Sequence, residues 1–88
     1  MTCEKLTRAF AVRRFLREVD HQLADPQLGH VVIVYQVGGA RSFPEMKDAS
    51  FRELALRALS NHSNIRDYGF SSPDTYDDWT FAGYRTRN

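Results

Sequence analysis

The chain is short of most features that announce a chemistry. It holds one cysteine, Cys3, in 88 residues. One thiol cannot close an intramolecular disulfide, and a secreted domain of this size ordinarily carries several cysteines as staples. It also cannot complete the four-ligand Cys/His set of a structural zinc site. His21, His30 and His62 stand in no metal-ligand spacing and read as isolated surface or edge histidines, so no metal is expected. Cys3 lies near a helix start, where thiols can be acidified. A nucleophile also needs a positioned base, and no neighbouring histidine offers one, so Cys3 reads as a bystander.

An excess of one charge is missing too. Twelve Lys and Arg face eleven Asp and Glu, for a net charge of +1. No global field would draw the chain onto nucleic acid or an anionic membrane, and any such contact needs a local patch. The longest apolar run, Val31 to Tyr35, is far too short to cross a bilayer. Met1 to Arg8 lead into a charged segment rather than an apolar one, so no secretory leader is expected. These readings predict a soluble cytoplasmic protein without a membrane partner. The adjacent glycines Gly38-Gly39 lack the longer glycine pattern, the lysine and the following helix of a phosphate loop, and no cofactor is expected.

What the chain does hold is 42% hydrophobic residues, enough for one modest core in a single α+β domain spanning 1–88. A first helix is predicted over Cys3 to Ala24. Ala9, Val12, Leu16, Val19 and Leu23 form its apolar stripe, Phe15 sits at the edge, and Asp25-Pro26 is the stop. His30 to Val37 is β-branched with almost no alternation, which suits a central strand covered on both faces. Gly38-Gly39 then fits a tight hairpin, with a short return strand over Ala40 to Phe43 ended by Pro44. Ser50-Phe51-Arg52-Glu53 reads as a capping box that starts a second helix, whose stripe is Phe51, Leu54, Ala55, Ala58 and Leu59. Ile65 to Phe70 and Trp79 to Thr86 read as a second hairpin, joined by the polar loop Ser71 to Asp78.

The expected architecture is two helices packed on one face of a four-stranded antiparallel sheet, in the order α-β-β-α-β-β. The apolar first strand then leaves either Ile33 and Tyr35 or Val32 and Val34 on the open face. A second copy of the chain, giving a homodimer through that face, or the 71–78 loop folded across it would each provide cover, and the pattern does not choose between them.

Two surfaces stand out. On the far side of the first helix, Leu6 and Phe10 are four residues apart, and Arg13, Arg14, Arg17 and His21 fall on the same side. An apolar pair ringed by arginines has the composition of a binding hot spot. The competing reading covers Leu6 and Phe10 with the sheet or the C-terminal tail and pairs the arginines with Glu18 and Asp20. The second surface is the C-terminal hairpin, where Tyr68, Phe70, Tyr76, Trp79, Phe81 and Tyr84 gather six of the eleven aromatics into seventeen residues. Alternation sends Tyr68, Phe70, Trp79 and Phe81 to the core and Tyr84 outward, unless a bulge at Gly83 shifts it. Tyr76 lies among Asp74, Asp77 and Asp78, whose spacing lacks the alternation and central glycine of a calcium loop and suits turn formation instead.

No catalytic constellation emerges, and the chain is not expected to be an enzyme. The function expected is a small non-catalytic protein-binding module, of the adaptor or inhibitor type that phages and plasmids encode against host machines. Its contacts would be Leu6, Phe10, Arg13, Arg14, Arg17 and His21 on one surface, and Asp74, Tyr76, Asp77, Asp78 and Tyr84 on the other. The alternative is nucleic-acid binding through the Arg-rich face of the first helix, aided by Arg41. A small enzyme using a divalent cation in the acidic loop ranks below both.

Overall fold

Helical spacing of apolar residues in the first quarter of the chain produces one long helix, α1, over Cys3–Leu23. Its end matches the Asp25-Pro26 stop, and the Asp25 carboxylate accepts a hydrogen bond from the Gln27 backbone N–H at 3.0 Å. In the computed structural model the described residues are 3–25, 27, 29–36, 43–72 and 79–86, with the side chains of 3–6, 34 and 36 outside the description. The remaining elements are β1 (Val32–Gln36), a short 3₁₀ turn (Pro44–Lys47), α2 (Ala49–Leu59), β2 (Ile65–Ser71) and β3 (Thr80–Arg85).

The class is α+β, with two helices and an antiparallel sheet. Among the described residues the sheet has three strands in the order β1-β3-β2. The fourth strand expected beside the first one falls largely outside them. Among the described residues β1 has one neighbour, and β3 lies between the other two strands, pairing Tyr35 with Phe81 on one side and Phe70 with Phe81 on the other. The first strand, β1, is shorter than the predicted His30 to Val37, because His30 lies in a turn and Val31 precedes the ladder. The Gly38-Gly39 hairpin and Ala40 to Ser42 fall outside the described residues. Phe43, expected to end a return strand, instead leads into the 3₁₀ turn. Pro44 explains the change, since its fixed φ and missing N–H suit the first position of a helical turn.

The start of α2 also differs from the predicted capping box. The N-cap is Asp48, whose carboxylate accepts from the Ser50 backbone N–H at 2.9 Å, and Ser50 lies inside the helix. With Asp48 as the cap the helix starts two residues earlier, and the Arg52 N–H that a Ser50 cap could have served already bonds the Asp48 carbonyl at 3.1 Å.

Both helices lie on the inner face of the sheet around one residue. Phe15 is fully buried, and its ring meets those of Tyr35, Phe43, Phe51, Phe70 and Phe81 at centroid distances of 4.9 to 5.8 Å. Four of these pairs are edge-to-face, the arrangement the ring quadrupole favours. The buried stripe of α1 is Ala11, Val12, Phe15, Val19 and Leu23. Relative to the expected stripe it is rotated slightly, so that Phe15 is central, Leu16 is at the margin and Ala9 is exposed. In α2, Phe51, Ala55 and Leu59 are buried, while Leu54, expected in the core, is exposed.

The C-terminal hairpin follows the predicted alternation. Phe81 is buried, Trp79, Tyr68 and Phe70 pack against the core, and Tyr84 faces out. The irregularity lies in β2 rather than at Gly83. Arg66 pairs with Tyr84 and Gly69 with Ala82, so Asp67 and Tyr68 together stand across from Gly83. Asp67 adopts a φ of 51°, which Asp tolerates better than most residues. The extra residue keeps Ile65 and Tyr68 on the inner face, and they crowd Gly83. A Cβ there would lie 2.8 Å from Ile65 Cδ1 and 2.9 Å from Tyr68 Cβ.

Arg85, at the end of β3, closes the structure. Its guanidinium donates to the backbone carbonyls of Gln22 and Asp25, both at 3.0 Å, and to those of Leu23 and Gly29. These include carbonyls at the C-terminal end of α1, where helical partners run out and a cation is favoured.

Candidate docking face on helix α1

The side of α1 turned away from the sheet carries a row set by helical geometry. Phe10, Arg13, Arg17 and His21 follow one another at spacings of three, four and four residues, so they share one ridge. All four are exposed. Phe10 is 61% exposed, the most exposed large hydrophobic residue among those described. The expected alternative, in which the sheet covers it, does not occur. The Arg13 guanidinium lies 5.8 Å from the Phe10 ring centroid and steadies it by a cation–π contact. Leu6 stands on the same helix face, with its side chain outside the description.

Of the eight described arginines, five are engaged within the fold, while Arg13, Arg17 and Arg57 have no carboxylate partner among the described residues. Arg8 pairs with Asp48 at 3.0 Å, which ties α1 to the cap of α2. Arg14, predicted for the exposed face, leans the other way. It pairs with Glu45 at 2.8 Å and lies over the Phe43 ring at 4.7 Å. Arg52 donates to the Met46 carbonyl at 2.5 Å and stacks 3.7 Å from the Trp79 ring centroid. Arg66 pairs with Asp67 at 2.6 Å, and Arg85 serves the end of α1. Arg13 and Arg17 have no carboxylate partner among the described residues, and neither Glu18 nor Asp20 takes them.

Asp20 is engaged by His62, whose Nε2 lies 2.5 Å from the Asp20 Oδ1. The His62 Nδ1 accepts from the Asn64 backbone N–H at 3.1 Å. A ring nitrogen that accepts carries no proton, so the neutral tautomer holds its hydrogen on Nε2 and donates it to Asp20. His62 is thus not isolated as expected. Nε2 ties the α2–β2 turn to α1, and Nδ1 orders the turn itself. His21 and His30 are exposed. Among the described residues no group of three or more His, Cys, Asp or Glu is placed to hold a metal ion. Asp74, Tyr76, Asp77 and Asp78 lie outside the described residues.

The Asp48 carboxyl titrates below the usual carboxylate value. The Ser50 backbone N–H lowers it most; desolvation works against this, and Arg8 and then Arg52 add to the lowering.

The outer face of the sheet is a second exposed surface. Val32, Tyr84 and Arg66 lie side by side across the three strands, with Ala82 on the same face. Of the two alternatives for this face, the structure thus turns Val32 outward and buries Ile33 and Tyr35. Tyr84 is 42% exposed, and the Arg66 guanidinium lies 5.8 Å from its ring centroid. Arg66 was not singled out from the sequence. The signal available was its pairing with Tyr84 across the hairpin, which the bulge at Asp67 and Tyr68 hid.

No family model, no curated protein and no solved structure matches the chain. No helix among the described residues is long and apolar enough to cross a membrane. The functional reading therefore rests on the surfaces themselves.

Proposed function

We propose that the chain is a non-catalytic protein-binding module that docks through the outer ridge of α1. The observation that carries this reading is Phe10, a large aromatic ring held in the open on a helix whose opposite face is fully used by the core. Exposing such a ring forfeits about 1.5–3 kcal/mol of burial that a partner's pocket would recover. Aromatic and arginine side chains are enriched at binding hot spots. The arginines beside Phe10 fit the same reading, because their charge is not spent within the fold.

The test is co-purification from the cells that make the protein, comparing the wild type with Phe10→Ala, Leu54→Ala and Tyr84→Ala. The three residues are exposed on α1, on α2 and on the outer sheet face respectively. Phe10→Ala should weaken the interaction by about 2 kcal/mol, the scale of a hot spot. The other two should leave it intact. If loss follows Tyr84 instead, docking belongs to the sheet face. If no substitution weakens any interaction, the reading fails.

A further inference from the structure

The chemistry of the α1 ridge also describes what it should meet. We infer that the partner offers an apolar groove lipped by Asp and Glu side chains, into which α1 lays Phe10 as anchor and Arg13 and Arg17 as flanking contacts. This rests on the docking reading above and adds the character of the partner.

Three observations carry it. First, Phe10, Arg13 and Arg17 stand at positions i, i+3 and i+7, so one face of α1 presents the ring and both guanidinium groups together, as a helix seated in a groove would need. Second, the charge on the ridge is uncompensated. Arg8, Arg14 and Arg66 are matched to Asp48, Glu45 and Asp67, and the Asp20 carboxylate accepts from the neutral His62 rather than from an arginine. Arg13 and Arg17, like Arg57 on α2, have no carboxylate partner among the described residues, and on the α1 ridge they flank an exposed ring. One helical turn separates them, about 6 Å along the axis, so two carboxylates on a groove wall can serve both at once. Third, the ridge is an aromatic anchor with two guanidinium groups that no described carboxylate takes, on a chain of net charge +1. A nucleic-acid surface is served by many phosphate contacts in a basic field, and two arginines supply few of them. The apolar anchor asks for a pocket, which a protein groove provides.

The experiment installs a photo-crosslinker at the anchor, Phe10→p-benzoylphenylalanine, which keeps an aromatic ring at the position. The same probe at Leu54 on α2 is the control. Both proteins are made in their source cells, irradiated, and the joined peptides are sequenced by mass spectrometry. The expected result is a protein adduct from position 10 at least tenfold above position 54. Its joined peptide should carry apolar side chains with two or more Asp or Glu beside them. Adding R13E and R17E together should cut the adduct about tenfold, and R13K with R17K should retain most of it. Circular dichroism melts of both double variants should match the parent, since neither arginine is paired within the fold.

An adduct to a protein segment without acidic residues, insensitive to the charge reversal, overturns the acidic groove and leaves the docking reading standing. An adduct to nucleic acid or to a second copy of the chain overturns both, as does an adduct no stronger than that from position 54.

Discussion

Phe10 and Phe15 are the same residue on the same helix, about 140° apart around its axis at five residues' separation. One is 61% exposed and the other is completely buried. Phe15 is held by five aromatic rings drawn from β1, β2, β3, α2 and the segment before the 3₁₀ turn. Phe10 has one guanidinium for company. The contrast separates two uses of hydrophobicity in a small domain. The inner face is committed to closing the fold, and the outer face keeps a ring that the fold does not need. A helix read only for its apolar stripe would merge the two.

That division can be broken at several points. The largest effect should come from Phe15→Ala, which removes the residue every layer touches. A loss of about 3–5 kcal/mol is expected, enough to unfold much of the population at room temperature. A urea midpoint close to that of the wild type would show that the core is centred elsewhere. Gly83→Ala comes next. The added methyl meets Ile65 and the Cβ of Tyr68, an atom fixed to the backbone, so destabilisation of about 1–3 kcal/mol is expected. An unchanged melting temperature would mean that the bulge at Asp67 and Tyr68 gives way freely.

Asp48→Ala should cost about 1 kcal/mol at neutral pH by removing the cap of α2. Here the pH dependence has a definite sign. The carboxyl is held below its ordinary value of 3.8 in the folded chain, so the unfolded chain takes up its proton first. The stabilisation is fully present above that ordinary value and is lost as pH falls through the lower folded one. Melts of wild type and variant should converge in acid, and a gap that persists there would rule out the charged cap. The smallest effect belongs to Phe10→Ala, whose stability should stay within about 0.5 kcal/mol of wild type because the ring packs on so little. A larger loss would make Phe10 part of the fold and end its role as a reserved contact.

Much of this arrangement was legible before any coordinates. The extent of α1, the inward turn of Trp79 and Phe81 and the outward turn of Tyr84 follow from periodicity and chain breakers, because these signals are local. The failures share a cause. A strand's rank within a sheet depends on its partners, so the apolar run around Ile33 could not show that β3 lies between β1 and β2. Leu16 and Phe15 are adjacent, and only the sheet decides which of the two points into it. Asp48 and Ser50 are both good caps, and Asp48 also meets Arg8, forty positions earlier in the chain, a contact no local signal reports. The same holds at the candidate face. Phe10, Arg13, Arg17 and His21 could be placed on one ridge from spacing alone. That Arg14 would leave them for Glu45 and Phe43 could not, since both partners come from another element.

The central place of β3 has a consequence for how the molecule is made. Translation delivers α1 and β1 early, but the strand that pairs with β1 follows only after α2 and β2. Until then the nascent chain carries Ile33 and Tyr35 with no ladder to hold them, and the carbonyls closing α1 wait for Arg85. Helix-to-helix ties such as Arg8 with Asp48 can form well before this. Assembly should therefore proceed from a helical scaffold toward a late zippering of the sheet, a step slowed by the long loop it must close.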